Sequence, residues 1–98
     1  MLSWLQAAGS PHDIGLALGR WGAAACHEHL LQSSAWASVQ QWRGSAEAAA
    51  LRQQVQDAFP WVLQELEGLA TGLALPLEQV LLWNCRGDLW AMVPDGCT

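Results

Sequence analysis

The chain has 98 residues, 52% hydrophobic and 13% charged, where soluble domains usually carry about 25% charge. Lysine is absent and four basic residues face nine acidic ones, for a net charge of −5; that balance argues against nucleic acid and against an anionic membrane surface as partners. No run reaches the roughly 18 apolar residues of a membrane crossing, and "MLSWLQAAGSPHD" lacks the basic stretch of a secretory signal. Three cysteines without a close-spaced pair fit a reducing, cytoplasmic setting better than a disulfide scaffold. Low charge combined with seven tryptophans suggests a surface that packs against a partner.

The first element opens at "GSPHDIG". Ser10 is suited to the N-cap, Pro11 to the first helical position and Asp13 to the positive end of the dipole. The spacing predicts a helix over 11–31. Ile14, Leu18, Trp21 and Ala25 make an apolar side, Asp13, Arg20 and His27 lie opposite, and Gly15, Gly19, Gly22 and Cys26 form a strip of small residues. Each glycine costs a helix about 1 kcal/mol relative to alanine. Close approach of another backbone would offset that, and the helix carrying Gly68 and Gly72 is the expected neighbour.

"LQSSAWASVQQWRGS" is either a short helix or an irregular bridge. Ser45 then caps a helix over 45–59, with Leu51, Val55 and Ala58 or Phe59 on its buried face. Pro60 ends it and opens another over 60–73, where Val62, Leu66, Leu69 and Leu73 fall in step. A fourth helix covers 76–85 with Leu77, Val80 and Leu81 inward, and Gly87 is its expected stop. Residues 88–93 are compatible with a short strand, and Pro94–Asp95–Gly96 is turn chemistry. The expected fold is therefore mainly α, a single helical region over 1–98.

Three groups bear chemistry. In "CHEH", Cys26, His27 and His29 sit on one stretch of helix and do not converge on a metal, so no metal is expected. Asn84, Arg86 and Asp88 form a polar patch in an apolar region. An arginine among tryptophans is stable when paired with a carboxylate, and Asp88 or Glu67 could supply one. Taken alone, that patch reads as a structural clamp, with Cys85 a small core residue.

Gly96–Cys97 is the third group. A cysteine thiolate can attack the preceding carbonyl and move the acyl group from nitrogen to sulfur, after which water opens the thioester. Glycine leaves the attacked carbonyl uncrowded. The product is an N-terminal cysteine whose α-amine, with an ordinary pKa of about 7.7–8.0, serves as a general base for its own thiol.

In order, "GSPHDIGLALG", "PWVLQELEGLATGLAL", "LLWNCRGDL" and "DGCT" resemble the N-terminal part of the acyl-coenzyme A:6-aminopenicillanate (isopenicillin N) acyltransferase family, a branch of the N-terminal-nucleophile hydrolases. The last two stretches are the most specific, and residues 32–58 match only in helical character. The resemblance implies an αββα sandwich made as one precursor and cut between Gly96 and Cys97. Residues 1–96 would be α-subunit-like, and 97–98 would begin the β-subunit-like part. Cys97 would then be the nucleophile, taking an acyl group from an amide or thioester donor and passing it to an amine or to water, without a cofactor. Asn84, Arg86 and Asp88 match a stretch expected to brace the cleavage loop, with Asp95 in the turn itself. The family continues well past this cysteine, so "PDGCT" is expected to be an interrupted beginning, with the β-subunit region as the missing partner and the 98-residue piece inactive alone. A small helical protein-binding scaffold without catalysis is the competing expectation.

Overall fold

A computed structural model describes residues 7–91, with every side chain among them except that of Trp90. The described residues form helices and no strand: α1 Pro11–Glu28, a 3-10 turn Leu30–Gln32, α2 Ser34–Gln40, α3 Ala46–Ala58, α4 Pro60–Leu73, α5 Leu77–Asn84 and α6 Arg86–Ala91.

Local chemistry sets most of these boundaries. Ser10 Oγ accepts from Asp13 N at 3.1 Å while Ser10 N donates to Asp13 Oδ2 at 3.2 Å, a reciprocal cap that satisfies two otherwise orphaned donors. α1 stops at Glu28, short of the expected Leu31, because the chain tightens into the 3-10 turn. Ser33 closes that turn by donating to Leu30 O and starts α2 by accepting from Trp36 N. The ambiguous stretch is thus a short helix. Ser45 caps α3 through Ala48 N, and Phe59, in a non-helical conformation before Pro60, separates α3 from α4. At the end of α4, Ala74 takes the left-handed conformation at φ 58°. Ala74 N donates to Thr71 O and Leu75 N to Ala70 O, the paired bonds of a Schellman stop, here without its usual glycine.

The largest departure from expectation is at the C-terminal end. α5 ends at Asn84, and the chain restarts as α6 within two residues; Gly87 lies inside α6 rather than ending α5. The expected strand is absent over 88–91, and residues 92–93 lie outside the described region. Packing explains the change. Leu82 and Leu89 are both fully buried, in one cluster with Val39 of α2 and Ala48 and Leu51 of α3. Helical spacing brings positions 82, 85 and 89 to one side, whereas a strand would alternate them across two faces. A second cluster joins Leu66 and Ala70 of α4 to Val80 and Leu81 of α5. Cys85 packs against both clusters, so the expected small core residue is a bridge between two cores.

α1 packs mainly on α4, through glycines. An added Cβ at Gly15 would strike the Glu65 carbonyl, one at Gly19 would lie 2.5 Å from Leu69 O and 2.8 Å from Gly72 Cα, and one at Gly68 would strike the His12 carbonyl. These pairs advance together along both helices, so α1 and α4 run in the same direction. Gly22 takes no part, since nothing lies within 4 Å of its added Cβ. The contact strip is therefore Gly15–Gly19 against Gly68–Gly72. The apolar side of α1 does not form the core: Leu18 and Trp21 are 38% and 55% exposed. Nor do Phe59 and Val62, at 53% and 37%, and Ala58 is exposed too. The inward residues of α4 are Leu63, Leu66, Gly68 and Ala70.

Candidate functional site

Asn84, Arg86 and Asp88 flank the α5–α6 break, and each is engaged separately. Asn84 ends α5 with its amide folded back on the helix, Nδ2 donating to Val80 O at 2.8 Å. Arg86 opens α6. Its guanidinium lies 4.5 Å from the centre of the Trp83 ring, and Nη1 donates to Trp83 O at 2.9 Å. The expected carboxylate partner is therefore replaced by an aromatic face and a backbone carbonyl, a pairing open to a weakly hydrated guanidinium. Trp83 in turn lies against Trp36, ring centres 5.6 Å apart. Arg86, Trp83 and Trp36 thus form a stack that clamps α6 to α2.

Asp88 is exposed on the first turn of α6. With Leu51, Val55, Ala58, Phe59 and Cys85 it borders a groove of about 320 Å³. Burial pushes the Cys85 thiol pKa up, and the Asp88 charge pushes it further. Burial also raises the Cys26 thiol. Neither cysteine is thereby prepared as a nucleophile, because the thiolate is the reactive form.

The "CHEH" residues diverge. Cys26 is buried, His27 Nε2 lies 2.6 Å from Leu73 O at the end of α4, and His29 is an exposed neighbour of Glu28. Among the described residues no group of three or more His, Cys, Asp or Glu could hold a metal.

Asp95, Gly96 and Cys97 lie outside the described residues. Leu89 is fully buried, α6 ends at Ala91, and five residues separate Ala91 from Cys97.

One polar feature had no counterpart in the reading of the sequence. Gln40 is 7% exposed, and its Nε2 donates to Gln79 O at 3.0 Å across α2 and α5. The only sign of it in the sequence is helical spacing after Ser33, which puts Trp36, Val39 and Gln40 on one face.

No family model matches the chain, and no curated protein or solved structure matches it either.

Proposed function

We propose that the chain is the N-terminal, α-subunit-like part of a self-cleaving cysteine acyltransferase or amidohydrolase of the N-terminal-nucleophile class. On this reading the precursor is a cytoplasmic αββα sandwich. Its Gly96–Cys97 bond is cut by the Cys97 thiol, and the freed Cys97 transfers acyl groups from amides or thioesters to an amine or to water. The balance is simple. Sulfur attacks the Gly96 carbonyl, the C–N bond breaks as the amine takes a proton, and water then hydrolyses the thioester. A Gly96 carboxylate and a Cys97 with free amine and thiol result.

The observation that carries the proposal is the run "LLWNCRGDLWAMVPDGCT", in which a turn-forming Pro94–Asp95–Gly96 directly precedes a cysteine. Leu89 and the Arg86–Trp83 contact anchor α6, the helix that precedes this turn in the sequence. In this scheme Asn84, Arg86 and Asp88 act as bracing residues. The Gly96–Cys97 motif and the family resemblance make Cys97 the candidate nucleophile.

The competing scaffold reading draws on exposed Trp21, Phe59 and Trp61, which a binding partner would cover. The two readings separate in the complete precursor. Cys97→Ala remains one inactive chain on the enzyme reading, while Cys26→Ala and Cys85→Ala are still cut. Cleavage at residue 96 in the Cys97→Ala protein refutes the proposal.

A further inference from the structure

Among the described elements, the 18-residue helix α1 meets only α4 and the 3-10 turn. Its glycine side takes up α4. Helical spacing turns Ile14, Ala17, Leu18, Trp21, Ala24 and Ala25 the other way, and only Ile14 and Ala17 of these are half-buried. The result is an apolar face in which alanines stand one turn before and one turn after Trp21. One edge of that face is charged and the other is not. Asp13 and Arg20 stand seven residues apart on the charged edge, both exposed, about 10 Å along the axis. Asp13 gives Oδ2 to the α1 cap, and Arg20 makes no ion pair among the described residues. His27, the third group on that edge, is held by Leu73 O.

We propose that this face is the contact between two copies of the chain, their α1 helices packed antiparallel about a two-fold axis close to Ala17. The charged edge selects a second copy as the occupant. In a two-fold antiparallel pair the same edge of each helix lies beside that of the other. An axis midway between positions 13 and 20 therefore sets Asp13 of each copy beside Arg20 of the other, and one acid and one base per chain make two ion pairs. In that register Leu18 of each copy enters between Ile14 and Ala17 of the other, and Trp21 lies over the other's Ile14 and first turn. A parallel pairing would oppose acid to acid and base to base, and a partner of one charge sign would oppose one of the two groups. The contact removes on the order of 1,000 Å² of surface in total, the lower limit of a specific interface, so the dimer is weak and reversible. The proposal stands apart from the Cys97 chemistry and is tested on the 98-residue chain.

Sedimentation equilibrium over a range of concentrations reads the assembly directly. A monomer–dimer equilibrium is expected, with a Kd on the order of 10–100 μM. Trp21→Gln, at an exposed position, is expected to weaken it roughly tenfold or more without lowering the melting temperature of the dilute protein. Trp61→Gln, equally exposed but on α4 beside Phe59, is expected to leave it unchanged. Arg20→Glu alone and Asp13→Lys alone each set like charges together and should be monomeric. An equimolar mixture of the two should form a one-to-one dimer, because both pairs are then again acid against base. Asp13→Lys also loses half of the α1 cap, and the comparison of Trp21→Gln with Trp61→Gln decides the matter if that variant does not fold. A chain that is monomeric at about 500 μM, a dimer lost through Trp61→Gln but not through Trp21→Gln, or a mixture of the two folded charge variants that stays monomeric would overturn the proposal.

Discussion

Gly19→Ala is the sharpest test of the α1–α4 contact. The added carbon would lie 2.5 Å from Leu69 O, 2.8 Å from Gly72 Cα and 2.9 Å from Leu73 N. All three are backbone atoms of α4, so no side chain can swing away. Ordinary carbon contacts lie at about 3.5–4.0 Å, and relief requires the helices to separate by on the order of 1 Å. A gap of that size forfeits about a quarter to a half of the dispersion attraction across the contact. Overpacking of this kind costs about 1–3 kcal/mol, against a helix-propensity gain of about 1 kcal/mol for replacing glycine. The expected net loss is up to about 2 kcal/mol, a fall of up to roughly 16 °C in melting temperature for a domain of this size. Gly22→Ala is the internal control. It sits in the same helix with nothing within 4 Å of its added Cβ, so it should gain up to about 1 kcal/mol. Thermal and urea unfolding of both variants measure the difference. A Gly19→Ala protein that melts at or above the wild type refutes the close-contact account.

Four further outcomes follow from the same structure. Ala74→Gly should stabilise by about 1 kcal/mol, because Ala74 carries the left-handed conformation at φ 58° that costs a side-chain-bearing residue about that much; urea unfolding reads it. Ser10→Ala removes the side-chain half of the α1 cap, the bond from Asp13 N to Ser10 Oγ, and should cost about 1 kcal/mol, seen as a lower urea midpoint. The Cys85 thiol is raised above its ordinary value of 9.0 by burial and then by Asp88. Below 9.0 the folded and unfolded states both keep the proton. Above it the unfolded thiol ionises first, so stability falls as pH rises through the folded pKa, and Cys85→Ala should flatten that fall. Arg86→Ala should loosen α6 and quench or shift Trp83 fluorescence, since the guanidinium lies over that ring.

How much of this was legible depended on whether the signal was local. The cap at Ser10, the break at Phe59–Pro60 and the end of α4 at Leu73 follow from residues within a few positions of one another. The pairing of Gly15 and Gly19 with Gly68 and Gly72 was also readable, because glycine inside two helices has few other physical reasons. The strand was misread over 88–91 because "DLWAMV" is short and apolar, and periodicity over so few residues does not separate strand from helix. Burial of Leu89 beside Leu82, a tertiary contact, decides it. The outward turn of Leu18 and Trp21 has a similar cause. Apolar spacing marks a face but not what that face meets, and on α1 the glycine side wins because only it admits α4. Arg86 was expected to pair with the Asp88 or Glu67 carboxylate, and it does not. That the partner is the Trp83 ring and not Asp88 depends on the α5–α6 break, which no residue type announces. Gln40 was missed for the same reason, since its partner Gln79 is 39 residues away.

The central proposal is that Cys97 cuts the bond that precedes it, and intact-mass measurement of the complete wild-type protein tests it most directly. The account predicts two pieces whose masses sum to the precursor plus one water, the smaller ending at Gly96 and the larger beginning with Cys97. The larger piece should also condense with a cyanobenzothiazole, which reacts with the adjacent amine and thiol of an N-terminal cysteine. A precursor that stays a single chain under conditions where it is folded and soluble would contradict the claim.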